Sequence, residues 1–203
     1  MFHYKALRLE TSERVYEPAE DSTLAAGMVE SYLGDIAYRG LKVLDVGTGT
    51  GLLGLVAAMN EKVKEVTFAD VNSDAVRLAE ANVNSNRNSV VARCDYKECN
   101  LLSGLLSQYD LIIFNPPYLR HRGEGETLKE AFDGGRNGVE VSIEFLKQAG
   151  GCLKQTGAIV LVHSSLSNTK MLDEEIKRQG FRVSRTEKVH FFFEDIVVSL
   201  LTR

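Results

Sequence analysis

Apolar positions in this chain fall into short runs broken by glycine and polar residues, and a two-residue and a three-to-four-residue period alternate. Lys42–Val46 reads Lys-Val-Leu-Asp-Val, a short apolar strand, and Leu52–Met59 follows as a helix. Glu65–Val71 predicts a second strand and Ser73–Asn86 a second helix, with Ala75, Leu78, Ala79 and Asn82 on one face. Val90–Tyr96 and Tyr109–Asn115 predict a third and a fourth strand. Val139–Leu153 predicts a helix with Val139, Ile143, Leu146 and Ala149 aligned, and Ala158–His163 a fifth strand. Asn168–Gln179 predicts a helix stopped by Gly180. Phe181–Thr186 and Asp195–Leu201 are two closing strands with no helix between them, the pattern of a hairpin. Ahead of these, Met1–Pro18 reads as an irregular or partly extended lead-in, and residues 21–33 as a helix capped by Asp21 or Ser22.

Repeated strand–helix units predict an α/β fold: a Rossmann-like, seven-stranded sheet, mainly parallel, with helices on both faces. The closing pair adds an antiparallel C-terminal hairpin edge. At 203 residues the chain suits one domain, with residues 1–40 as lead-in and helix and 41–203 as the Rossmann-like core. In such sheets ligands bind beyond the carboxyl ends of the strands. Function is therefore expected just after Val46, Ala69, Cys94 and Phe114.

Composition narrows the choice of partners. There are 24 basic and 28 acidic side chains, a net charge of -4. Proteins that live on nucleic acid usually carry a basic excess, because phosphate neutralisation supplies most of their affinity. A nucleic-acid partner is thus disfavoured. Cys94, Cys99 and Cys152 are odd in number and lack metal-ligand spacing, so neither a disulfide framework nor a zinc site is expected. No stretch reads as a membrane span or a signal peptide, and a reduced, cytoplasmic setting fits.

After the first strand comes Asp45-Val-Gly47-Thr-Gly49-Thr-Gly51-Leu-Leu-Gly54. Closely spaced glycines let a ligand lie against bare backbone, and the following helix points its amides at it. The pattern also matches the dinucleotide motif, and Asp70 lies where it could hold ribose hydroxyls, so NAD and S-adenosylmethionine (SAM) both remain open. Two details favour SAM. Asp45 directly precedes the glycines, awkward for a pyrophosphate but suited to an ammonium. Asp95 follows the third strand, where it could accept from an adenine amino group with Tyr96 flanking the ring. The competing reading of these aspartates is strand-end capping of turns.

Asn115-Pro116-Pro117-Tyr118 follows the fourth strand. The prolines remove two backbone donors and leave carbonyls to accept, and the Asn115 side-chain oxygen also accepts. Two acceptors can grip one planar NH₂ group while Tyr118 offers a face for stacking. An amide or exocyclic amino nitrogen is a poor nucleophile, and acceptors on its N–H bonds return electron density to it. The competing reading is a rigid strand-exit turn.

With these motifs in view the sequence resembles the class I SAM-dependent methyltransferases, and within them the HemK-related protein-(glutamine-N5) methyltransferases that modify translation release factors. Tyr16-Glu-Pro-Ala-Glu-Asp-Ser22, Asp45–Gly51, Asn115–Tyr118 and Phe132-Asp-Gly-Gly-Arg-Asn-Gly138 carry the resemblance, which is nearest the short archaeal and eukaryotic branch. It implies methylation of the glutamine in the Gly-Gly-Gln loop of a class I release factor, and a small zinc-binding activator subunit as a possible partner. It implies Ser22, Asp45, Gly47, Gly49, Gly51, Asp70, Asp95, Tyr96 and Asn115 at the cofactor, and Asn115, Pro116, Pro117 and Tyr118 at the substrate. Ser22 could bond the methionine carboxylate or simply cap its helix.

Three rival readings stand beside this one. They are an adenine-N6 methyltransferase on RNA or DNA, a non-catalytic SAM-binding protein, and an NAD oxidoreductase. Residues 119–137 are expected to form either a substrate lid or a solvated loop, with Gly134, Gly135 and Gly138 making turns. Phe191-Phe192-Phe193 is expected in the hairpin core.

Overall fold

A computed structural model describes residues 1–118, 135–191 and 193–203. The lead-in carries more order than its composition suggests. Phe2–Tyr4 (β1) pairs antiparallel with Leu7–Leu9 (β2), and both leucines are buried. Then follow Glu20–Asp35 (α1), Leu41–Val46 (β3), Leu52–Ala58 (α2), Val63–Asp70 (β4), Ser73–Ser85 (α3) and Arg93–Glu98 (β5). Tyr109–Phe114 (β6), Glu140–Cys152 (α4), Leu153–Ser164 (β7), Thr169–Arg178 (α5), Arg182–Phe191 (β8) and Glu194–Thr202 (β9) complete the described elements.

Seven strands form one sheet in the order β5-β4-β3-β6-β7-β9-β8. The first five run parallel, and β9 is antiparallel to both β7 and β8. Fold class and hairpin edge are as the sequence predicts. Side chains alternate across the sheet with the strand period of two. Val43, Val66, Phe68, Leu111, Ile113, Val160 and Val198 pack beneath α1, α2 and α3. Leu44, Ile112, Phe114, Ile159, Leu161 and Leu201 pack beneath α4 and α5.

Four departures from the pattern stand out. Strand β8 runs on to Phe191, five residues past the expected Thr186, and stays paired with β9 up to Glu194. The apolar run Val90-Val91-Ala92 suggests an earlier third strand, yet it is the turn after α3. The amides of Val91 and Ala92 both donate to the Ala58 carbonyl, and pairing with β4 starts only at Arg93. The strand end therefore shifts from Tyr96 to Glu98. Strand β7 begins at Leu153, five residues early, because a register shift lets Tyr109 face Leu153 and Leu111 face Ala158. Helix α1 has Ala19 as its N-cap, with no side-chain bond there. Asp21 and Ser22 lie inside the first turn and serve other partners.

The lead-in is fixed to α3 by side-chain amides. Asn82, fully buried, accepts from the Glu10 amide at 2.7 Å and donates to the carbonyls of Glu10 (3.1 Å) and Thr50 (2.9 Å). Asn86 pairs the same way with the Arg8 backbone, at 3.2 and 2.8 Å. Asn82 sits on an otherwise apolar face because its polar atoms are satisfied.

Helix α2 lies close on the sheet at Gly54. A Cβ there would stand 2.3 Å from Phe68 Cε1 and 3.0 Å from Asp45 Oδ2. Overpacking of this kind costs about 1–3 kcal/mol. Gly54→Ala is expected to lower the urea midpoint accordingly, and adding Phe68→Leu to recover part of the loss. An unchanged midpoint in Gly54→Ala would contradict the close packing.

Candidate active site

Strand β3 pairs with β4 on one side and β6 on the other, so the chain direction across the sheet reverses there. In register, Val46 lies beside both Ala69 and Phe114. The loops after all three strands therefore open at one edge, the switch point where α/β sheets bind ligands. A cleft of about 1260 Å³ lies there. Its walls are the glycine loop, Asp70–Asn72, Cys99–Leu101, Asn115–Tyr118 and the lead-in residues 12–22.

The glycine loop turns three times through positive φ, at Gly47 (61°), Gly49 (54°) and Gly51 (84°). Gly47 and Gly49 line the cleft. Gly51 is the N-cap of α2 and faces Ala79 instead. Asp45, expected at the ammonium, is not among the residues that line the cleft. It is 1% exposed, and its Oδ2 turns back to accept from Thr48 Oγ1 (2.6 Å) and the Gly54 amide (2.9 Å). Burial pushes its pKa up to about 7, against the two hydrogen bonds, and the neighbouring Asp70 adds to the rise. Asp45 thus holds the loop's shape rather than lining the cleft.

Asp70 does line it. Its Oδ2 accepts from the Gly49 amide (3.0 Å) and its Oδ1 from the Asn72 amide (2.9 Å), while burial raises its pKa. It ties the end of β4 to the glycine loop. Val71 beside it is a large exposed apolar side chain on the cleft wall.

Asp95 and Tyr96 do not lie where the sequence places them. Both fall inside β5, because that strand runs on to Glu98. Asp95 pairs with Thr67 in register, and its carboxylate meets the Arg93 guanidinium at 2.7 Å. The Tyr96 ring stacks on Phe68 with centroids 5.4 Å apart. The cleft instead receives Cys99, Asn100 and Leu101. The Cys99 amide donates to the Asp70 carbonyl at 2.9 Å, which draws this turn against the end of β4. Only a later strand end could have pointed to Asn100.

Asn115, Pro116, Pro117 and Tyr118 all line the cleft, and so does Ser22. The residue that organises them is Asp21, which the sequence presents as a helix cap within the Tyr16–Ser22 motif and not as a site residue. Asp21 is 3% exposed. Its Oδ2 accepts from Asn115 Nδ2 (2.9 Å) and the Tyr118 hydroxyl (3.1 Å). Its Oδ1 accepts from the Tyr16 hydroxyl (3.0 Å), the Ser22 amide (2.6 Å) and Ser22 Oγ (3.0 Å). Burial first, and then the Asp21 charge, raise the pKa of both Tyr16 and Tyr118, so both phenols remain donors. A carboxylate can only accept, so the Asn115 amide must turn its nitrogen to Asp21. Its oxygen is left facing the other way, buried and without a hydrogen-bond partner among the described residues.

Gly138 closes the wall behind Tyr118, with φ 72°. A Cβ there would stand 2.6 Å from the Tyr118 carbonyl, which accepts from Ser167 Oγ at 3.0 Å. Gly135 also has positive φ, so both serve turns as the sequence suggests, while Gly134 and residues 119–134 of the possible lid over 119–137 lie outside the described residues. The aromatic run splits. Phe191 lines the cleft with Glu194 and Ile196, Phe193 is 91% exposed, and Phe192 is outside the described residues.

Residues 31–189 match the family model for the methyltransferase small domain. The chain belongs to this family. A protein of Methanocaldococcus jannaschii, named as a protein N5-glutamine methyltransferase, is 32% identical over 96% of this chain and 94% of its own length. Methyltransferase HEMK2 of Mus musculus is 30% identical over 83% of this chain and 80% of its own. The Mtq2–Trm112 structure from E. cuniculi, titled for methylation of the eRF1 termination factor, superposes with a TM-score of 0.68 at 21% identity. That match covers 94% of this chain and 99% of the other. Seven-stranded sheet and hairpin edge are those of the class I methyltransferase fold. Among the described residues no helix is long and apolar enough to cross a membrane, and no cluster of metal-ligating side chains occurs.

The buried Asp45 sets a pH dependence. Its folded pKa, about 7, is raised above the unfolded carboxylate value, so the folded state holds the extra proton between the two. Its contribution to stability is greatest at low pH and declines as pH rises toward 7. Asp45→Asn keeps an acceptor for Thr48 and Gly54 but cannot ionise. Urea unfolding without cofactor at mildly acidic and mildly alkaline pH is expected to show a smaller loss of stability with pH in the variant. An equal loss in both would contradict the burial cost.

Proposed function

We propose that this chain uses SAM to methylate the side-chain amide nitrogen of a glutamine, that of the Gly-Gly-Gln loop of a class I translation release factor. The single observation that carries the reading is the Asn115 oxygen: buried, lacking a partner among the described residues, and held facing away from Asp21. A lone acceptor beside a proline-rich turn at a methyltransferase cleft fits a donor NH₂ group. The name of the Methanocaldococcus jannaschii relative points to glutamine as the group that bears it.

The cleft fits SAM in its donor set. Asp70 presents a carboxylate at the end of β4 for ribose hydroxyls. Asn100 and Val71 offer a polar edge and an apolar face for adenine. Ser22, Gly47 and Gly49 stand at the glycine-loop end for the amino-acid portion. When bound, SAM supplies an electrophilic methyl group on a positively charged sulfur.

The rest of the chemistry belongs to the chain. Asn115 Oδ1 and the Pro116 carbonyl accept from the two N–H bonds of the substrate amide, which holds it in one plane and aims its lone pair. As that nitrogen gains positive charge, both acceptors bind it more tightly, so they stabilise the transition state more than the ground state. Tyr118 supports the flat group. No strong base is needed at the outset, because the nitrogen becomes acidic only as its new bond forms.

The release factor substrate and a small activator subunit come from this reading and from the relatives; the Trm112 protein in the E. cuniculi complex supports such a subunit. Incubation with SAM and purified release factor, with and without the subunit, followed by mass spectrometry, should show one added methyl on the loop glutamine. Label appearing only on RNA would reject the proposal in favour of an adenine substrate.

Two substitutions separate chemistry from binding. Asn115→Ala should lower turnover on the order of 10²–10³-fold, the effect of losing one preorganised polar contact, with SAM affinity nearly unchanged. Calorimetry of Asp70→Ala should show SAM affinity weaker by about 1.5–3 kcal/mol, the contribution of a charge-assisted hydrogen bond. Normal turnover in the first, or an unchanged Kd in the second, would contradict the assigned roles.

A further inference from the structure

Asn115 works only if its oxygen, not its nitrogen, faces the substrate. The two ends of an amide have nearly the same size, so shape alone does not choose between them. Something must. We infer that Asp21 is the positioning residue that fixes the direction of the Asn115 amide, and that the active site depends on this donor–acceptor order rather than on Asp21's charge. The inference rests on the glutamine-amide reading for its kinetic test, but its structural half stands without it.

The geometry is over-determined. Asp21 is buried and receives five hydrogen bonds, two on Oδ2 and three on Oδ1. One donor, the Ser22 backbone amide at 2.6 Å, cannot rotate or reverse. Whatever replaces Oδ1 must therefore still accept. Hydroxyls of Tyr16, Ser22 and Tyr118 can turn to donate or accept, and so adapt. Asn115 is the member whose orientation the pair decides.

This makes the isosteric variant informative. In Asp21→Asn the side-chain oxygen stays on the Ser22 amide, so the new NH₂ group points at Asn115 and Tyr118. Asn115 then has to reverse, giving its oxygen to residue 21 and its nitrogen to the cleft. A donor now faces a donor on the substrate. The double substitution Asp21→Asn with Asn115→Asp repairs the order. Residue 21 donates to one oxygen of the new carboxylate, and the other oxygen faces the substrate. Packing volume is conserved throughout.

In Asp21→Asn kcat should fall on the order of 10²-fold while SAM affinity stays near that of the unaltered protein, as for loss of one aimed acceptor. The double variant should regain on the order of 10-fold or more over Asp21→Asn, a coupling of the size seen between residues in direct contact. A structural support for the helix turn would not be restored by a change at position 115. Unaltered turnover in Asp21→Asn, or a double variant no better than that single variant, would overturn the inference. Should Asp21→Asn fail to fold, the double variant must fold and turn over; one equally unfolded would overturn it too.

A second readout needs no substrate. The side-chain amide of Asn115, assigned by its loss in Asn115→Ala, should show in ¹⁵N–¹H spectra one proton held downfield by the Asp21 carboxylate. In Asp21→Asn that shift should vanish, because the NH₂ group no longer meets a carboxylate. An amide signal unchanged by Asp21→Asn would overturn the orientation lock. If the protein leaves release factor unmodified while the spectra change as described, the substrate assignment fails and the lock stands.

Discussion

A carboxylate removed from water must be surrounded by donors, and at Asp21 those donors come from three separate parts of the chain. Tyr16 belongs to the lead-in, Ser22 to the first turn of α1, and Asn115 and Tyr118 to the exit of β6. One buried side chain therefore fastens the N-terminal segment and helix to the turn after the fourth core strand. The reactive face of the cleft exists only when all three have come together. The pairing of β3 with both β4 and β6 sets the stage, since it brings the glycine loop, Asp70 and Asn115 to one edge of the sheet.

The parts of this arrangement that are legible in the sequence are those encoded locally. Glycines at 47, 49 and 51 let the chain turn through positive φ, and Asn-Pro-Pro-Tyr cannot continue a strand. Alternating strand and helix periods then place both motifs at the same sheet edge, with no further information required. Asp70 is legible for the same reason, being the last residue of an apolar strand.

What the sequence hides depends on register and on distant partners. Asp95 and Tyr96 look like a strand exit, but pairing begins three residues after the apolar run does, and the exit passes to Asn100. Asp45 precedes the glycines as a ligand residue would, yet Thr48 and Gly54 claim its carboxylate. Asp21 is the strongest case. Its sequence context says helix start, and nothing local connects it with Asn115, ninety-four residues away. Its importance follows only from tertiary geometry, where a side chain that could have capped a helix is recruited to orient another.

The seating of the lead-in has a consequence for ionic strength. Residues 8–14 are held to α3 chiefly by Asn72, Asn82 and Asn86, whose neutral amides bond backbone groups. An ion pair at this contact, Arg14 with Asp74 at 3.4 Å, is solvent-facing on the arginine side and of the kind that dissolved salt screens. Dipolar bonds between uncharged groups have no such sensitivity. The wall that this segment contributes to the cleft is thus built to keep its place from dilute buffer to strong brine, and electrolyte would act on the molecules that come and go rather than on the walls that receive them.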